Sequence, residues 1–212
     1  LRGVAIEEDY DEKRDIRVTT VRIESENGAK AMGKPIGTYI TLEAPKLSDP
    51  DEDYHREVSE TLAEYLKELL GTGQERSVLV VGLGNRDVTP DALGPEVVNN
   101  LRITRHVVRE YGRAAFAKEK LHMVSGIVPG VMAQTGMETL EIVRGVAEET
   151  RPDVIVAIDA LAARSSKRLN RTIQISDAGI HPGSGVGNHR HSLTKETTGV
   201  PVIAIGVPTV VD

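Results

Sequence analysis

Cysteine and tryptophan are absent from the chain, and phenylalanine occurs only once. Without cysteine there can be no disulfide, no thiolate nucleophile and no cysteine-ligated zinc site. So few aromatic side chains argue against a surface that stacks the bases of single-stranded nucleic acid. The net charge of -6 offers no attraction to nucleic-acid phosphates or to an anionic membrane surface. We therefore expect no direct binding of nucleic acid.

Long apolar runs are also missing, since none reaches the length of a membrane-spanning helix, and no signal-peptide pattern opens the sequence. We expect a soluble, cytoplasmic protein that does not bind a membrane. The sequence begins without methionine and stops directly after an apolar run that predicts a buried strand. The chain is therefore expected to be truncated at both ends.

The pattern of apolar residues changes near residue 77. Before it, two β-rich runs at residues 16–24 and 36–44 flank a turn-rich segment, which predicts a β-hairpin or a small sheet. Residues 48–73 follow as a helix whose apolar stripe ends at Gly71. The charge run EEDYDEKRD, residues 7–15, predicts a solvated, mobile segment.

After residue 77, apolar strands alternate with helices. The strands are predicted at residues 77–84, 121–131, 153–161, 171–177 (at an edge) and 200–210, and the helices at residues 93–111 and 138–152. Short connections between such elements favour parallel pairing with right-handed crossovers. We predict an α/β fold with a doubly wound, mostly parallel sheet at residues 77–212. Residues 1–76 would add an N-terminal β segment plus a helix to the same compact unit.

The loop after the first of these strands lies in the stretch VVGLGNRDVTPDALGP, which has the outline of a nucleotide-binding turn. Gly82 and Gly84 fit the pattern G-x-G-x-x-G, but Asp87 takes the place of the third glycine. Its carboxylate would repel a pyrophosphate, so the pattern is weak support for phosphate binding.

The same loop predicts the entrance to a helix. Thr89 is a good N-cap, Pro90 suits the first helical position, and Asp91 falls in the first turn. Taken alone, Asp91 would complement the helix dipole. Asn85 would hold the loop by an Asx-type bond or donate to a bound carbonyl group.

A second acid changes this interpretation. Asp159 lies at the carboxyl end of a predicted buried strand, where open α/β sheets bind their ligands. If the strands before the two acids are neighbours, Asp91 and Asp159 face one crevice, although Asp159 alone could be a cap or a partner of Arg164 or Lys167. Asp87 competes with Asp91 for this role because it lies closer to the strand end.

A third region, DAGIHPGSGVGNHRHS, combines glycines with three of the six histidines. Its glycines let the backbone approach a ligand closely, at Gly183, Gly185 and Gly187. His189 and His191 have a spacing seen in metal sites, but no H-E-x-x-H helix accompanies them. His181, beside Pro182, is the better candidate for a site residue.

Four motifs stand in the order found in the germination proteases of spore-forming bacteria: GKPIGTYITLEAP, VVGLGNRDVTPDALGP, AIDALAARS and GIHPGSGVGN. The chain resembles this family over nearly its whole length. The resemblance implies an endopeptidase that degrades small acid-soluble spore proteins in the spore core during germination. It also implies a homotetramer, made as a zymogen that removes its own N-terminal propeptide.

The resemblance also assigns the two acids. The family's fold resembles that of hydrogenase maturation proteases, in which an acid in a D-E-G-x-G turn and an acid after a later strand bind metal. PDALG puts Asp91 on the first acid and AIDAL puts Asp159 on the second. In the germination proteases these two acids are thought to be the catalytic pair, which favours Asp91 over Asp87.

Two mechanisms are open for this pair. As a metal-free dyad the two carboxylates share a proton and activate water without a cofactor, and we favour this interpretation. Alternatively Asp91 and Asp159, with His181 as a further ligand, hold a divalent metal ion that generates hydroxide, as in a maturation-type protease. Asn85 or backbone amides at Gly183 and Gly185 would stabilise the oxyanion. A binding module and a nucleotide-binding enzyme are the other function classes.

Overall fold

A computed structural model describes residues 2–71, 75–116, 121–181 and 191–211. Its strands form one sheet of eight, in the order β1-β2-β3-β7-β8-β6-β4-β5. The strands are β1 (Val4–Asp11), β2 (Ile16–Ile23), β3 (Gly37–Glu43), β4 (Ser77–Gly82), β5 (Met123–Ile127), β6 (Val154–Ala163), β7 (Thr172–Ser176) and β8 (Val202–Val211). The helices are α1 (Glu26–Met32), α2 (Glu52–Leu70), α3 (Leu93–Asn100), α4 (Arg105–Tyr111), α5 (Met132–Thr135), α6 (Thr139–Thr150) and α7 (Lys195–Thr198).

The part of the sheet formed after residue 77 has the predicted α/β architecture. Three of its four pairings are parallel, namely β4 with β5, β4 with β6, and β6 with β8. The fourth, β7 with β8, is antiparallel. The predicted fold class, a mostly parallel sheet with helices, is confirmed. β7 lies between β3 and β8, so the prediction of an edge position for it is wrong.

Both faces of the sheet are covered around β4, as its consecutive residues show. Val78 and Val80 belong to a core that α2 and α3 cover, whereas Leu79 and Val81 belong to a second core under α6. Such a strand needs apolar side chains at every position, which explains its continuous apolar run. Helices on both faces make the sheet doubly wound.

The N-terminal strands continue this sheet, because β3 pairs antiparallel with β7. The charge run at residues 7–15 is mostly strand β1, paired along its length with β2, so the prediction of a mobile segment is wrong. Its charged side chains are exposed and pair across the strands, as in Arg22 with Glu7 at 3.0 Å. Charges on an edge strand oppose pairing with another chain. A domain boundary near residue 76 stays a prediction.

Two predicted segments have other structures. The turn-rich segment between β2 and β3 contains α1, in which the Ser25 hydroxyl accepts the backbone N–H of Gly28 at 3.1 Å. The single helix predicted at residues 93–111 is broken into α3 and α4. The break occurs because the backbone N–H of Thr104 donates to the carbonyl oxygen of Val124 at 2.9 Å.

The long helix α2 is confirmed, but it begins at Glu52, later than the predicted start at residue 48. Asp51 caps its first turn by accepting the backbone N–H of Tyr54 at 3.1 Å, and Gly71 ends it. The Tyr54 hydroxyl donates to the carbonyl oxygen of Asp15 at 2.9 Å, which ties α2 to the start of β2. In the described part of the chain, no helix is long and apolar enough to cross a membrane.

The start of α3 lies directly against the ends of two strands. A β-carbon built on Gly94 would lie 2.5 Å from the nitrogen of Leu83 and 2.6 Å from the carbonyl oxygen of Ile158. A β-carbon built on Gly82 would likewise lie 2.3 Å from the carbonyl oxygen of Gly94. Only glycine therefore allows α3 to approach the ends of β4 and β6 this closely, and this approach fixes the loop between β4 and α3.

We expect Gly94→Ala to destabilise the full-length protein by about 1–3 kcal/mol or more, because its methyl group would overlap backbone atoms. The matched control is Gly145→Ala in α6, where a β-carbon meets nothing within 4 Å. That change should stabilise the protein by about 0.5–1 kcal/mol through helix propensity. Urea unfolding of both variants measures the difference, and equal effects would contradict the close packing of α3.

Candidate active site

Asp159 lies inside strand β6, with only 2% of its surface exposed. It was predicted at the end of a strand, but β6 continues to Ala163 because β8 runs beside it. Asp159 does lie just past the end of β4, whose pairing with β6 stops at Ile158. The backbone N–H of Leu83 donates to the carbonyl oxygen of Ile158 at 2.8 Å.

Asp91 lies in a single 3-10 turn, Thr89–Asp91, between β4 and α3. Its Oδ2 accepts the backbone N–H of Asn85 at 2.7 Å, so the carboxylate is oriented by its own loop. The prediction of Thr89 as an N-cap is wrong, because Val88 holds that position and α3 begins only at Leu93. The carboxylate of Asp91 therefore precedes α3 and does not belong to its first turn.

Close contacts bring the two acids to one edge of the sheet. The 3-10 turn of Asp91 touches both β6 and β8, and the Thr209 hydroxyl donates to the carbonyl oxygen of Pro90 at 2.5 Å. Gly84 has φ +113°, and a β-carbon there would lie 3.1 Å from Oδ1 of Asp91. Leu83, beside Gly84, is bonded to Ile158, which precedes Asp159. The Asp91 turn thus lies near the carboxyl end of β4 and against β6, the strand that carries Asp159, where the sequence predicts the crevice.

The side chain of Asn85 holds this loop in place. Its Oδ1 accepts the backbone N–H of Asp87 at 3.0 Å and the Nε2–H of Gln134 at 3.3 Å. Asp87 itself is exposed, whereas Asp91 is half-buried. Gln134 was missed by the sequence reasoning. The turn at Pro129 after β5 was the available indication, because it brings α5 to the same edge of the sheet.

His181 is exposed and lines a groove of about 340 Å³ that also includes Leu161 and Gly206. Gly206 is the register partner of Asp159, so His181 belongs to the surroundings of the crevice. The predicted contributions of Gly183 and Gly185 fall outside the described residues, as do Gly187 and His189. His191 is described and exposed. Within the described ranges, no group of three or more His, Asp or Glu side chains is arranged to hold a metal ion.

Tyr39 forms part of the same groove. Burial, and then the negative charge of Asp177, raise the pKa of its hydroxyl above the usual value. The hydroxyl therefore stays protonated at neutral pH, where it donates to the carbonyl oxygen of Pro35 at 2.8 Å.

Comparison with known proteins identifies the family to which the chain belongs. A family model described as germination protease matches residues 1–212. The chain belongs to the germination protease family. Within the family it is 54% identical to the germination protease of Caldanaerobacter subterraneus over 212 residues, which are the whole chain and 64% of that relative.

Other relatives in the family are similar over the whole chain. The germination protease of Clostridium perfringens is 50% identical, with 64% of its length covered, and that of Bacillus cytotoxicus is 50% identical, with 57% covered. The chain therefore spans about three fifths of the length of the curated relatives it matches.

One solved structure is also similar to the chain. It is a NiFe hydrogenase maturation protease, HycI from Thermococcus kodakarensis, with a TM-score of 0.40 and 20% identity. The match covers 68% of this chain and 80% of that structure.

The hydrogen bond between Asp91 and Asn85 should contribute to the stability of this family member. Asp91→Ala removes the acceptor of the Asn85 N–H and should lower the free energy of unfolding by about 1–3 kcal/mol. Asp91→Asn keeps an acceptor oxygen, so we expect a change of less than about 1 kcal/mol.

Urea unfolding of the full-length variants measures these changes. The control is Asp87→Ala in the same loop, whose exposed carboxylate should be worth at most about 0.5 kcal/mol. If Asp91→Ala and Asp91→Asn are equally stable, the carboxylate does not hold the loop.

Proposed function

We propose that the chain carries the catalytic part of an endopeptidase, with Asp91 and Asp159 as its catalytic carboxylates. The observation that supports this most is the contact of the Asp91 turn with β8 and with β6, the strand in which Asp159 is buried. Ligands of open α/β sheets bind at this edge, outside the carboxyl ends of the strands. Membership of the germination protease family adds the reaction class, hydrolysis of peptide bonds.

In the proposed mechanism the two carboxylates share one proton and titrate as a unit. The ionised carboxylate takes a proton from water, and the resulting hydroxide attacks the carbonyl carbon of the scissile bond. The protonated carboxyl group donates its proton toward the carbonyl oxygen. The C–N bond then breaks, and the leaving amine takes up a proton from the pair. The two products are a new carboxyl terminus and a new amino terminus.

Asn85 is the proposed donor to the oxyanion that forms on the carbonyl oxygen. Its Oδ1 accepts bonds from Asp87 and Gln134, which fixes the orientation of the side-chain amide. The Nδ2–H groups are then the donors that this side chain can present to substrate. A donor fixed before the reaction stabilises developing charge more than one that must reorient.

The proposal extends to the biology of the family. The substrates are small acid-soluble spore proteins, and the location is the spore core. The enzyme acts as a homotetramer that is made as a self-processing zymogen. The resemblance of the four sequence motifs to the germination proteases supports these points.

The test is cleavage of a purified small acid-soluble spore protein by the full-length enzyme. We expect Asp91→Asn and Asp159→Asn each to lower kcat/KM by about 10²–10⁴-fold, the typical contribution of a general acid or base. Asp87→Asn, an exposed acid in the same loop, is the matched control and should keep its activity. Circular dichroism and thermal unfolding check that each variant is folded. Full activity of Asp159→Asn would end the proposal.

A strong chelator distinguishes the two uses of the same residues. A metal-free dyad predicts cleavage that survives chelation and is lost in either variant. Cleavage that is lost on chelation and restored by one divalent ion would make Asp91 and Asp159 metal ligands, as in a maturation-type protease.

A further inference from the structure

The face of the sheet that carries Asp159 continues beyond β6 as a row of small and polar residues. Asp159 is the register partner of Gly206 in β8, Gly206 of Gln174 in β7, and Gln174 of Thr41 in β3. Register partners point to the same face, because side chains alternate along each strand. The row therefore runs from the candidate active site across three further strands.

A groove of about 340 Å³ lies over this row. Among the described residues, the core under α6 takes its strand residues from β4, β5, β6 and β8, and none from β7 or β3. Over β7 and β3 the same face instead borders the groove, whose lining includes Thr41, Gln174 and Gly206. Gly206 is the register partner of Asp159, and the side chain of Leu161 lies over Gly206, so the groove borders the predicted crevice at Leu161.

Two side chains in the groove have hydrogen-bonding groups to offer. Thr41 and Gln174 are half-buried, and across the described ranges no hydrogen bond uses either side chain. A hydroxyl and a carboxamide can each donate to a peptide carbonyl and accept from a peptide N–H. Two other polar side chains of the groove already make hydrogen bonds: Ser176 Oγ accepts the N–H of Ala178 at 3.0 Å, and the Tyr39 hydroxyl donates to the carbonyl oxygen of Pro35.

The dimensions of the row fit an extended polypeptide. Neighbouring strands lie about 4.8 Å apart, so the three steps from β6 to β3 span about 14 Å. An extended chain advances by about 3.5 Å per residue, which gives about four residues over this distance.

We propose that the substrate polypeptide lies extended across β8, β7 and β3, with about four residues on one side of the scissile bond in this groove. Gln174 and Thr41 bind its backbone and position it for the catalytic pair. This inference rests on the proposed function, and it adds the conformation of the substrate and two binding residues. It requires a substrate segment that is unfolded around the cleavage site.

The test uses synthetic peptides that contain a mapped cleavage site of a small acid-soluble spore protein. One series is lengthened residue by residue on the amino side and the other on the carboxyl side. We expect kcat/KM of the full-length enzyme to rise through about the fourth residue on one side. Thr41→Val and Gln174→Ala should each lower kcat/KM by about 2–10-fold, which is the effect expected of one lost hydrogen bond. The change should appear mainly as a higher KM.

That loss should appear only with peptides long enough to fill the groove, and the shortest cleaved peptide should be unaffected. Thr41→Ser, which keeps the hydroxyl, should behave as wild type. Thr19→Val is the matched control, because Thr19 continues the same row on β2 and does not line the groove.

Three outcomes separate the two proposals. A loss confined to long peptides supports the groove. If wild type cleaves the peptides but Thr41→Val and Gln174→Ala affect short and long peptides equally, the groove proposal is overturned and the proposed function stands. If wild type cleaves neither the peptides nor the spore protein, the proposed function is wrong, and the groove proposal, which depends on it, is wrong as well.

Discussion

The arrangement of the site depends on the contact between the start of α3 and the ends of β4 and β6. Gly94 lies against backbone atoms of Leu83 and Ile158, where no side chain fits. The connection between β4 and α3 must therefore fold back over the strand ends, and the 3-10 turn of Asp91 forms its last part. The Asp91 carboxylate accepts a hydrogen bond from the backbone N–H of Asn85, so the loop and the acid hold each other in position.

Much of the central sheet could be predicted because its strands are buried on both faces. β4, β6 and β8 are continuous apolar runs. The pattern predicted that two acids share one crevice if β4 and β6 are neighbours, and the family resemblance chose Asp91 over Asp87. β1 could not be found in this way, since an edge strand exposed along most of its length carries no apolar pattern. The break between α3 and α4 also escaped prediction, because it depends on the tertiary bond of Thr104.

The position of Asp159 shows where sequence patterns stop being sufficient. An acid after an apolar run indicates the end of a strand, because burying a carboxylate costs free energy. Here β8 extends beside β6 and keeps it in the sheet past the acid. The opposite residue in β8 is Gly206, and the side chain of Leu161 from β6 itself lies over this glycine. The glycine beside Asp159 belongs to another strand, so the sequence of β6 alone does not show that this carboxylate lies in the strand interior.

Strand pairing also gives the N-terminal strands a larger role than the sequence predicts. From sequence they are an addition to the catalytic part, yet β3 pairs with β7 and brings Thr41 into the row that starts at Asp159. Thr41 and Gln174 lie far apart in the chain, so only the antiparallel pairing of β3 and β7 makes them neighbours. If substrate lies along this row, the N-terminal strands form part of the substrate-binding surface. The added segment then contributes to specificity, and the catalytic part alone would bind substrate over fewer residues.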